Sequence, residues 1–103
     1  MDVNKIIAEL RRLKEKYLDN IESRNSTEKE IEHFMDSVLK DKDLYNNSKY
    51  MFRIFEYIPE CDLKQELLKD YYDFLKKNGR YEELKTIVKI GDSYGLLINM
   101  GNF

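Results

Sequence analysis

Apolar residues along this chain recur at steps of three and four, the spacing that places side chains on one face of an α-helix. The pattern predicts five helices, and no stretch alternates between apolar and polar residues as a half-buried strand would. A sixth helix is predicted over Tyr94 to Met100, with an extended tail as the alternative, because Gly95 lowers helix propensity by about 1 kcal/mol. The predicted fold class is all-α, a compact bundle of five to six antiparallel helices in a single domain that spans residues 1–103.

The first predicted helix runs from about Val3 to Glu22, with Asp2 as its N-cap. Its apolar residues form one stripe, which ends with Leu18 and Ile21. We interpret this stripe as the face that packs on the rest of the domain. A narrower set of the same positions fits a heptad seam, so a coiled coil between two copies is the alternative. The seam consists of Val3, Ile6, Leu10, Leu13 and Tyr17.

Polar residues mark the boundaries of the helices in the first half of the chain. Arg24 to Ser26 is predicted to end the first helix, and Thr27 with Glu30 matches a capping box that would start the second. Asp41 to Asp43 is predicted to end the second helix. Asn46 to Ser48 is predicted to form a turn that starts the third, because these side chains compete for backbone donors.

Proline and glycine mark the boundaries in the second half of the chain. Pro59 is predicted to end the third helix, because a residue before proline is pushed out of the helical region. Asp62 is predicted to cap the fourth helix. Gly79 is predicted to supply the left-handed residue at its end, and Tyr81 to begin a fifth helix that Gly91 terminates.

The bend at Gly79 follows an aromatic residue, Phe74, and precedes Tyr81 and two glutamates. This order resembles the helical hairpin of a tetratricopeptide-type repeat, over Gln65 to Ile90. The resemblance implies stacked helical hairpins and a protein-binding function. A second glycine–aromatic pair, Gly101 and Phe103, begins only 22 residues after Gly79, whereas one repeat spans about 34 residues. Leu84 also stands where that family has a small residue. A plain helix–turn–helix arrangement within a bundle is therefore the alternative.

Charge and cysteine content narrow the function classes. The chain has 18 basic and 20 acidic residues, a net charge of −2, so no overall field attracts nucleic acid or an anionic membrane. A single cysteine, Cys61, excludes an intramolecular disulfide and favours a reducing, cytoplasmic location. We find no signal peptide, and no apolar run approaches the roughly 20 residues of a membrane span.

Residues that could carry chemistry are few. His33 is the only histidine, and Cys61 has no second cysteine to share a metal with. The acidic stretch from Glu28 to Asp36 lacks the loop spacing and the glycine of a calcium site. We interpret His33 and the acidic stretch as surface features and Cys61 as a structural thiol. The prediction is a protein that is not an enzyme and that holds no cofactor or metal.

The eight tyrosines are the most unusual feature of the composition, because tyrosine is enriched at protein interfaces. We predict a non-enzymatic protein–protein interaction module, a small adaptor or regulator that binds a helix or an extended segment of another protein. Three tyrosines are predicted to be contact residues, with two basic residues as a polar rim. These residues are Tyr57, Tyr72 and Tyr81, with Arg53 and Lys76.

Two further hypotheses stay open. The first is a homo-oligomeric assembly protein that uses its first helix or its apolar C-terminal tail. In the tail the self-association residues would be Leu96, Leu97, Met100 and Phe103. The second is a nucleic-acid-binding regulator, which the low net charge disfavours. Its phosphate contacts would be Arg11, Arg12, Lys14 and Lys16.

Overall fold

Six α-helices and one 3-10 turn make up the regular structure of residues 2–92, the part of the chain that a computed structural model describes. The α-helices are α1 (Val3–Asp19), α2 (Arg24–Leu39), α3 (Lys42–Asn46), α4 (Ser48–Glu56), α5 (Asp62–Lys77) and α6 (Tyr81–Asp92). The 3-10 turn, Ile21–Ser23, lies between α1 and α2. Residues 2–92 contain no strand, so the all-α prediction is confirmed for this range. The predicted helix over Tyr94 to Met100 lies outside the described residues.

The chain divides into two units, Met1–Pro59 and Glu60–Phe103. The first unit contains α1 to α4, and the second contains α5 and α6. The division follows Pro59, the residue predicted to end the third helix. The prediction that residues 1–103 form a single domain stays a prediction.

In the first unit α1 packs against α2 and α4, and α3 packs against the same two helices. Full burial of one large apolar side chain contributes about 1.5–3 kcal/mol. The buried apolar residues are Ile6, Ile7, Leu10, Leu13, Ile31, Met35, Val38, Leu44, Met51, Ile54, Phe55 and Ile58. Three of the five positions of the heptad seam are among them, so most of the seam faces the protein's own interior. The packed interpretation of the first helix is therefore confirmed for these three positions.

The start of α2 differs from the prediction. This helix begins at Arg24, so Thr27 lies inside it, where its buried hydroxyl donates a hydrogen bond to the carbonyl oxygen of Ser23 at 3.1 Å. The capping-box prediction is therefore wrong. Arg24 explains the difference, because its Nε donates to the carbonyl oxygen of Tyr17 at 2.8 Å. This bond satisfies a free carbonyl at the end of α1, and the next helix starts at Arg24 itself.

The connection between α2 and α4 contains a short helix that the sequence did not predict. The carboxylate of Asp41 accepts a hydrogen bond from the backbone N–H of Leu44 at 3.2 Å and so caps α3. Leu44 is buried. The side chain of Asn47 then accepts from the backbone N–H of Tyr50 at 3.3 Å and caps α4, which confirms the predicted turn.

In the second unit α5 and α6 pack against each other and are joined by three residues, 78–80, so they form a helical hairpin. Gly79 has a φ of 68°, and its N–H donates to the carbonyl oxygen of Lys76 at 3.2 Å. The N–H of Arg80 donates to the carbonyl oxygen of Leu75 at 2.9 Å. This pair of bonds is a Schellman motif, so the predicted bend is confirmed. The buried apolar residues of this unit are Leu63, Leu67, Leu68, Tyr71, Tyr72, Leu75, Leu84, Ile87 and Ile90.

Two predicted boundaries of the second unit are wrong. Asp62 is the first residue of α5 rather than its cap, and Cys61 occupies the cap position but its side chain does not cap the helix. In the first turn the Asp62 carboxylate favours the positive end of the helix. Gly91 lies within α6, which continues to Asp92. A glycine costs a helix only about 1 kcal/mol, so it does not by itself force an end.

Candidate functional site

The five predicted contact residues belong to both units of the chain. Tyr57 and Arg53 lie in the first unit, and Tyr72, Lys76 and Tyr81 lie in the second.

In the first unit Tyr57 is the C-cap residue of α4 and is half-buried. The guanidinium carbon of Arg11, on α1, lies 6.0 Å from the centre of the Tyr57 ring. Arg53 lies one turn earlier on α4 and is exposed. Because α1 contributes a cation close to this ring, Tyr57 offers only part of its surface to a partner.

Tyr72, one of the predicted contact residues, is only 7% exposed and therefore offers little surface to a partner. The buried face of α5 is wider than the apolar stripe in the sequence and includes even Lys64. Burial raises the pKa of the Tyr72 hydroxyl, and the charge of the neighbouring Asp73 adds to this effect. Lys76, one turn further on, is exposed as predicted.

Tyr81 is the most exposed tyrosine whose exposure the structure gives, at 63%. It is the first residue of α6, immediately after the bend. A Cβ added to Gly79 would lie 4.0 Å from Cε2 of Tyr81, so the ring lies beside the backbone of the bend. One edge of the aromatic ring therefore has a protein neighbour, while most of its surface faces solvent.

Arg80 has a fixed position next to Tyr81. Its Nε donates to Oε1 of Glu83 at 2.9 Å, and its Nη2 donates to Oε2 of the same carboxylate at 2.6 Å. The hydrogen bond to Glu83 raises the pKa of Arg80, so the guanidinium stays charged. The same group lies 5.8 Å from the ring centre of Phe74, which in turn stacks with Tyr71 at 5.4 Å between ring centres. We name Phe74, Gly79, Arg80, Tyr81 and Glu83 the bend surface.

Sequence reasoning found Tyr81 in this surface and missed Arg80. The signal was present, because Arg80 and Glu83 are three residues apart at the start of a predicted helix, where such pairs meet. The position of the Arg80 guanidinium over the Phe74 ring could not be inferred from spacing, because it depends on how the bend returns the chain towards α5.

The basic residues proposed for phosphate binding already have protein partners in most cases. Nε of Arg12 donates to Glu9 at 2.7 Å, and Nζ of Lys16 donates to Glu30 at 2.7 Å. Arg11 lies near the Tyr57 ring, as described above. These pairs lower the positive charge that α1 presents to a phosphate. The structure does not test nucleic-acid binding itself.

A shallow pocket of about 240 Å³ lies between α1 and α2 in the first unit. It is lined by Glu9, Arg12, Leu13, Glu30, His33 and Phe34. His33 is exposed, as predicted, and the two carboxylates of the pocket hold the ion pairs with Arg12 and Lys16. Cys61, in the second unit, is half-exposed. Within residues 2–92 no three His, Cys, Asp or Glu side chains are grouped as metal ligands.

The apolar stripe of α1 is not buried along its whole length. Leu18 is 54% exposed and Ile21 is 73% exposed, although the sequence pattern placed both on the packed face. That part of the prediction is wrong. The chain leaves the helix at Asn20, whose φ and ψ are −131° and 88°, so Ile21 does not continue the stripe. The tail residues proposed for self-association lie outside the described residues. They are Leu96, Leu97, Met100 and Phe103.

Comparison of the chain with models of protein families, with curated proteins and with solved structures gave no match. Among the described residues, none of the helices combines the length and the apolar character that crossing a bilayer requires.

Proposed function

We propose that this chain is a non-enzymatic protein-binding module of the cytoplasm, and that the bend surface of the second unit contacts the partner. The observation that carries the proposal is the 63% exposure of Tyr81 beside a fixed arginine. Tyrosine and arginine are the residues that most often dominate the binding energy of protein interfaces. The bend surface presents both within two consecutive residues.

The geometry of the bend lowers the cost of binding. The Schellman motif at Gly79 fixes the backbone on which Tyr81 is carried, and tyrosine has few side-chain torsions to lose. Arg80 is held by two hydrogen bonds to Glu83 and by the Phe74 ring. Because the two groups are positioned before a partner arrives, little conformational entropy is lost when the partner binds.

A helix or an extended segment of another protein is the proposed partner. Its contact surface would offer an apolar side chain to the exposed Tyr81 ring. Lys76 is exposed on the last turn of α5 and supplies a further positive charge near the bend. In this proposal the resemblance of Gln65 to Ile90 to a tetratricopeptide-type hairpin reflects a shared use of paired helices for recognition.

The proposal is tested by quantitative capture of the tagged full chain from cells of its source organism. The wild type is compared with Tyr81→Ala and with Tyr50→Ala, a control that removes another exposed tyrosine from α4. We expect one protein to co-purify with the wild type in a fixed ratio. We expect Tyr81→Ala to weaken its binding about 30-fold, because truncation of a hot-spot residue costs about 2 kcal/mol.

Tyr50→Ala should capture the same protein as well as the wild type does. If Tyr81→Ala also captures it in full, the bend surface is not the contact site. If no protein is captured in a fixed ratio by any of the three chains, the protein-binding function itself is contradicted. Helical content measured by circular dichroism shows that both variants are folded before they are compared.

A further inference from the structure

Two lysines, Lys76 and Lys77, lie in the last turn of α5 beside the bend surface, and both are exposed. We infer that they select an acidic partner, so that the segment that contacts Tyr81 carries carboxylates on either side of its apolar contact residue. This inference rests on the proposed function, because it concerns the same surface and names the chemistry of the partner that binds there.

The backbone of the bend holds the end of α5 close to the exposed tyrosine. The carbonyl oxygen of Lys76 accepts a hydrogen bond from the N–H of Gly79 at 3.2 Å. A Cβ at Gly79 would in turn lie 4.0 Å from Cε2 of Tyr81. Gly79 therefore lies between Lys76 and the tyrosine ring, so a partner segment that covers the ring also passes the last turn of α5.

The side chains of the two lysines are not needed to complete the end of their own helix. The last carbonyls of a helix lack partners within it, and a nearby lysine can supply one. Here the carbonyl oxygen of Phe74 accepts from the backbone N–H and from Nδ2 of Asn78, at 3.1 and 2.7 Å. The carbonyl oxygen of Leu75 accepts from the N–H of Arg80 at 2.9 Å. The bend thus satisfies the end of α5 with its own donors.

The carboxylates next to the tyrosine have partners within the hairpin. Glu83 binds Arg80 at 2.6 Å, and Oε2 of Glu82 lies 3.6 Å from Nζ of Lys85. Residues 74–85 contain four basic and two acidic residues, a net charge of +2. Since both acidic residues are paired with a basic one, the two lysines at the end of α5 account for the excess.

The nearest acidic residue outside this segment is Asp73. It precedes Lys76 by three residues, which places it about one turn further from the bend. Within the part of the chain that the structure describes, Asp73, Lys76 and Lys77 form no ion pair. One carboxylate that lies further from the bend than the two ammonium groups leaves the surface beside Tyr81 positive.

An acidic segment complements this arrangement. Tyr81 offers an apolar ring that is 63% exposed, and the two lysines place positive charge beside it. Complementary charges set the choice of partner and the rate of encounter, whereas like charges placed together disfavour binding. A segment with an apolar side chain flanked by glutamate or aspartate therefore fits the surface, and a basic segment does not.

Fluorescence anisotropy of two labelled peptides, titrated with the full chain, tests the inference. The acidic peptide has twelve residues, with two leucines at its centre and glutamate elsewhere, and the neutral peptide has glutamine in place of each glutamate. We expect the wild type to bind the acidic peptide about tenfold more tightly, because each of two exposed ion pairs contributes about a factor of three. The difference should shrink as salt rises, because exposed charges are screened. A wild type that binds both peptides equally, or neither, overturns the inference.

Lysine variants test whether the preference comes from the end of α5. Lys76→Gln/Lys77→Gln should bind the acidic peptide about tenfold more weakly than the wild type does and the neutral peptide equally well. Lys49→Gln/Lys69→Gln removes the same charge from two exposed positions away from the bend surface and should behave as the wild type does. A variant at the end of α5 that keeps the wild-type preference overturns the inference, and so does an equal loss in the control. Circular dichroism checks that each variant is folded.

Tyr81→Ala separates this inference from the proposed function. It should weaken the binding of both peptides by a similar factor, because it removes the apolar contact and leaves the lysines in place. If it does so and the lysine variant has no effect, the bend surface is the contact site and only the acidic preference is wrong. If Tyr81→Ala binds both peptides as the wild type does, the bend surface is not the contact site, and both proposals are overturned.

Discussion

Arg24 shows how one side chain determines a helix boundary. Its guanidinium donates to the carbonyl oxygens of Tyr17 and Leu18, at 2.8 and 3.5 Å, and lies 4.9 Å from the centre of the Tyr17 ring. Carbonyls in the last turn of a helix have no partner within the helix. Because Arg24 supplies these partners, the reversal between α1 and α2 needs no capping side chain at Thr27.

Arg24→Ala is therefore expected to lower the free energy of unfolding by about 1.5–3 kcal/mol, the range for hydrogen bonds that involve a charged group. Chemical denaturation followed by circular dichroism measures this change. Arg53→Ala is the matched control, since Arg53 is exposed on α4 and a surface substitution usually changes stability by less than about 0.5 kcal/mol. Equal effects of the two substitutions would contradict the role given to Arg24.

Gly79→Ala should lower the free energy of unfolding by about 1–2 kcal/mol, because Gly79 has a φ of 68° and a Cβ penalises this left-handed conformation. Gly79→Asn should cost less, since asparagine tolerates the same conformation. A Cβ at this position meets no close neighbour, with Tyr81 Cε2 4.0 Å away, so steric overlap does not complicate the comparison. Thermal unfolding of the two variants measures these costs. An alanine variant as stable as the wild type would refute the requirement for a glycine in this conformation.

Tyr72 should make the protein sensitive to alkali. Burial raises the pKa of its hydroxyl above the value of about 10 in an unfolded chain. The stabilisation is fully present below about pH 10 and is lost as the pH rises through the higher pKa of the folded state. Tyr72→Phe removes this titration, so its unfolding free energy should fall less steeply above pH 10 than that of the wild type, as measured in urea. Equal slopes for the wild type and Tyr72→Phe above pH 10 would contradict this role of Tyr72.

At the scale of helices, the elements with a strong local signal were predicted correctly. The side chain of Asp2 accepts a hydrogen bond from the N–H of Asn4 at 2.9 Å and caps α1, Asn47 caps α4, and Gly79 ends α5 through a Schellman motif. Each depends on residues adjacent in sequence. The five-residue helix α3 was missed because it is too short for an apolar period to be recognised.

Predictions that depend on tertiary contacts were less successful. The start of α2 depends on Arg24, whose partners lie in α1, and Leu18 is exposed although its spacing continues the buried stripe. In the candidate site Tyr81 was identified from its place after the glycine. The burial of Tyr72 was not predicted, because the sequence does not show how wide a face α5 buries. Periodicity identifies a packed face, but it does not determine how far along a helix the packing extends.

The α5–α6 hairpin should depend strongly on Leu84, which is 2% exposed on α6. Leu84→Ala is expected to cost about 2–5 kcal/mol, since it leaves a cavity in a packed interior. Lys85→Ala, at the next and exposed position, should have little effect. Urea denaturation of the two variants provides the comparison. A small cost for Leu84→Ala would indicate that the helices approach closely enough at this position to favour a small residue, as in tetratricopeptide-type hairpins.

At the scale of the whole molecule, the two units carry two different kinds of surface. The second unit presents a fixed aromatic and arginine pair at its bend, which we propose binds another protein. The first unit carries the exposed pair Leu18 and Ile21 at the end of α1.

The central claim is that the bend surface recognises another protein, and hydrogen exchange measured by mass spectrometry tests it most directly. The full chain is compared alone and after addition of the co-purified protein. The account predicts slower exchange of the backbone amides in residues 80–84 and little change in α4, around Tyr50. Unchanged exchange at residues 80–84 in a chain that is demonstrably bound, with protection elsewhere, would contradict the account.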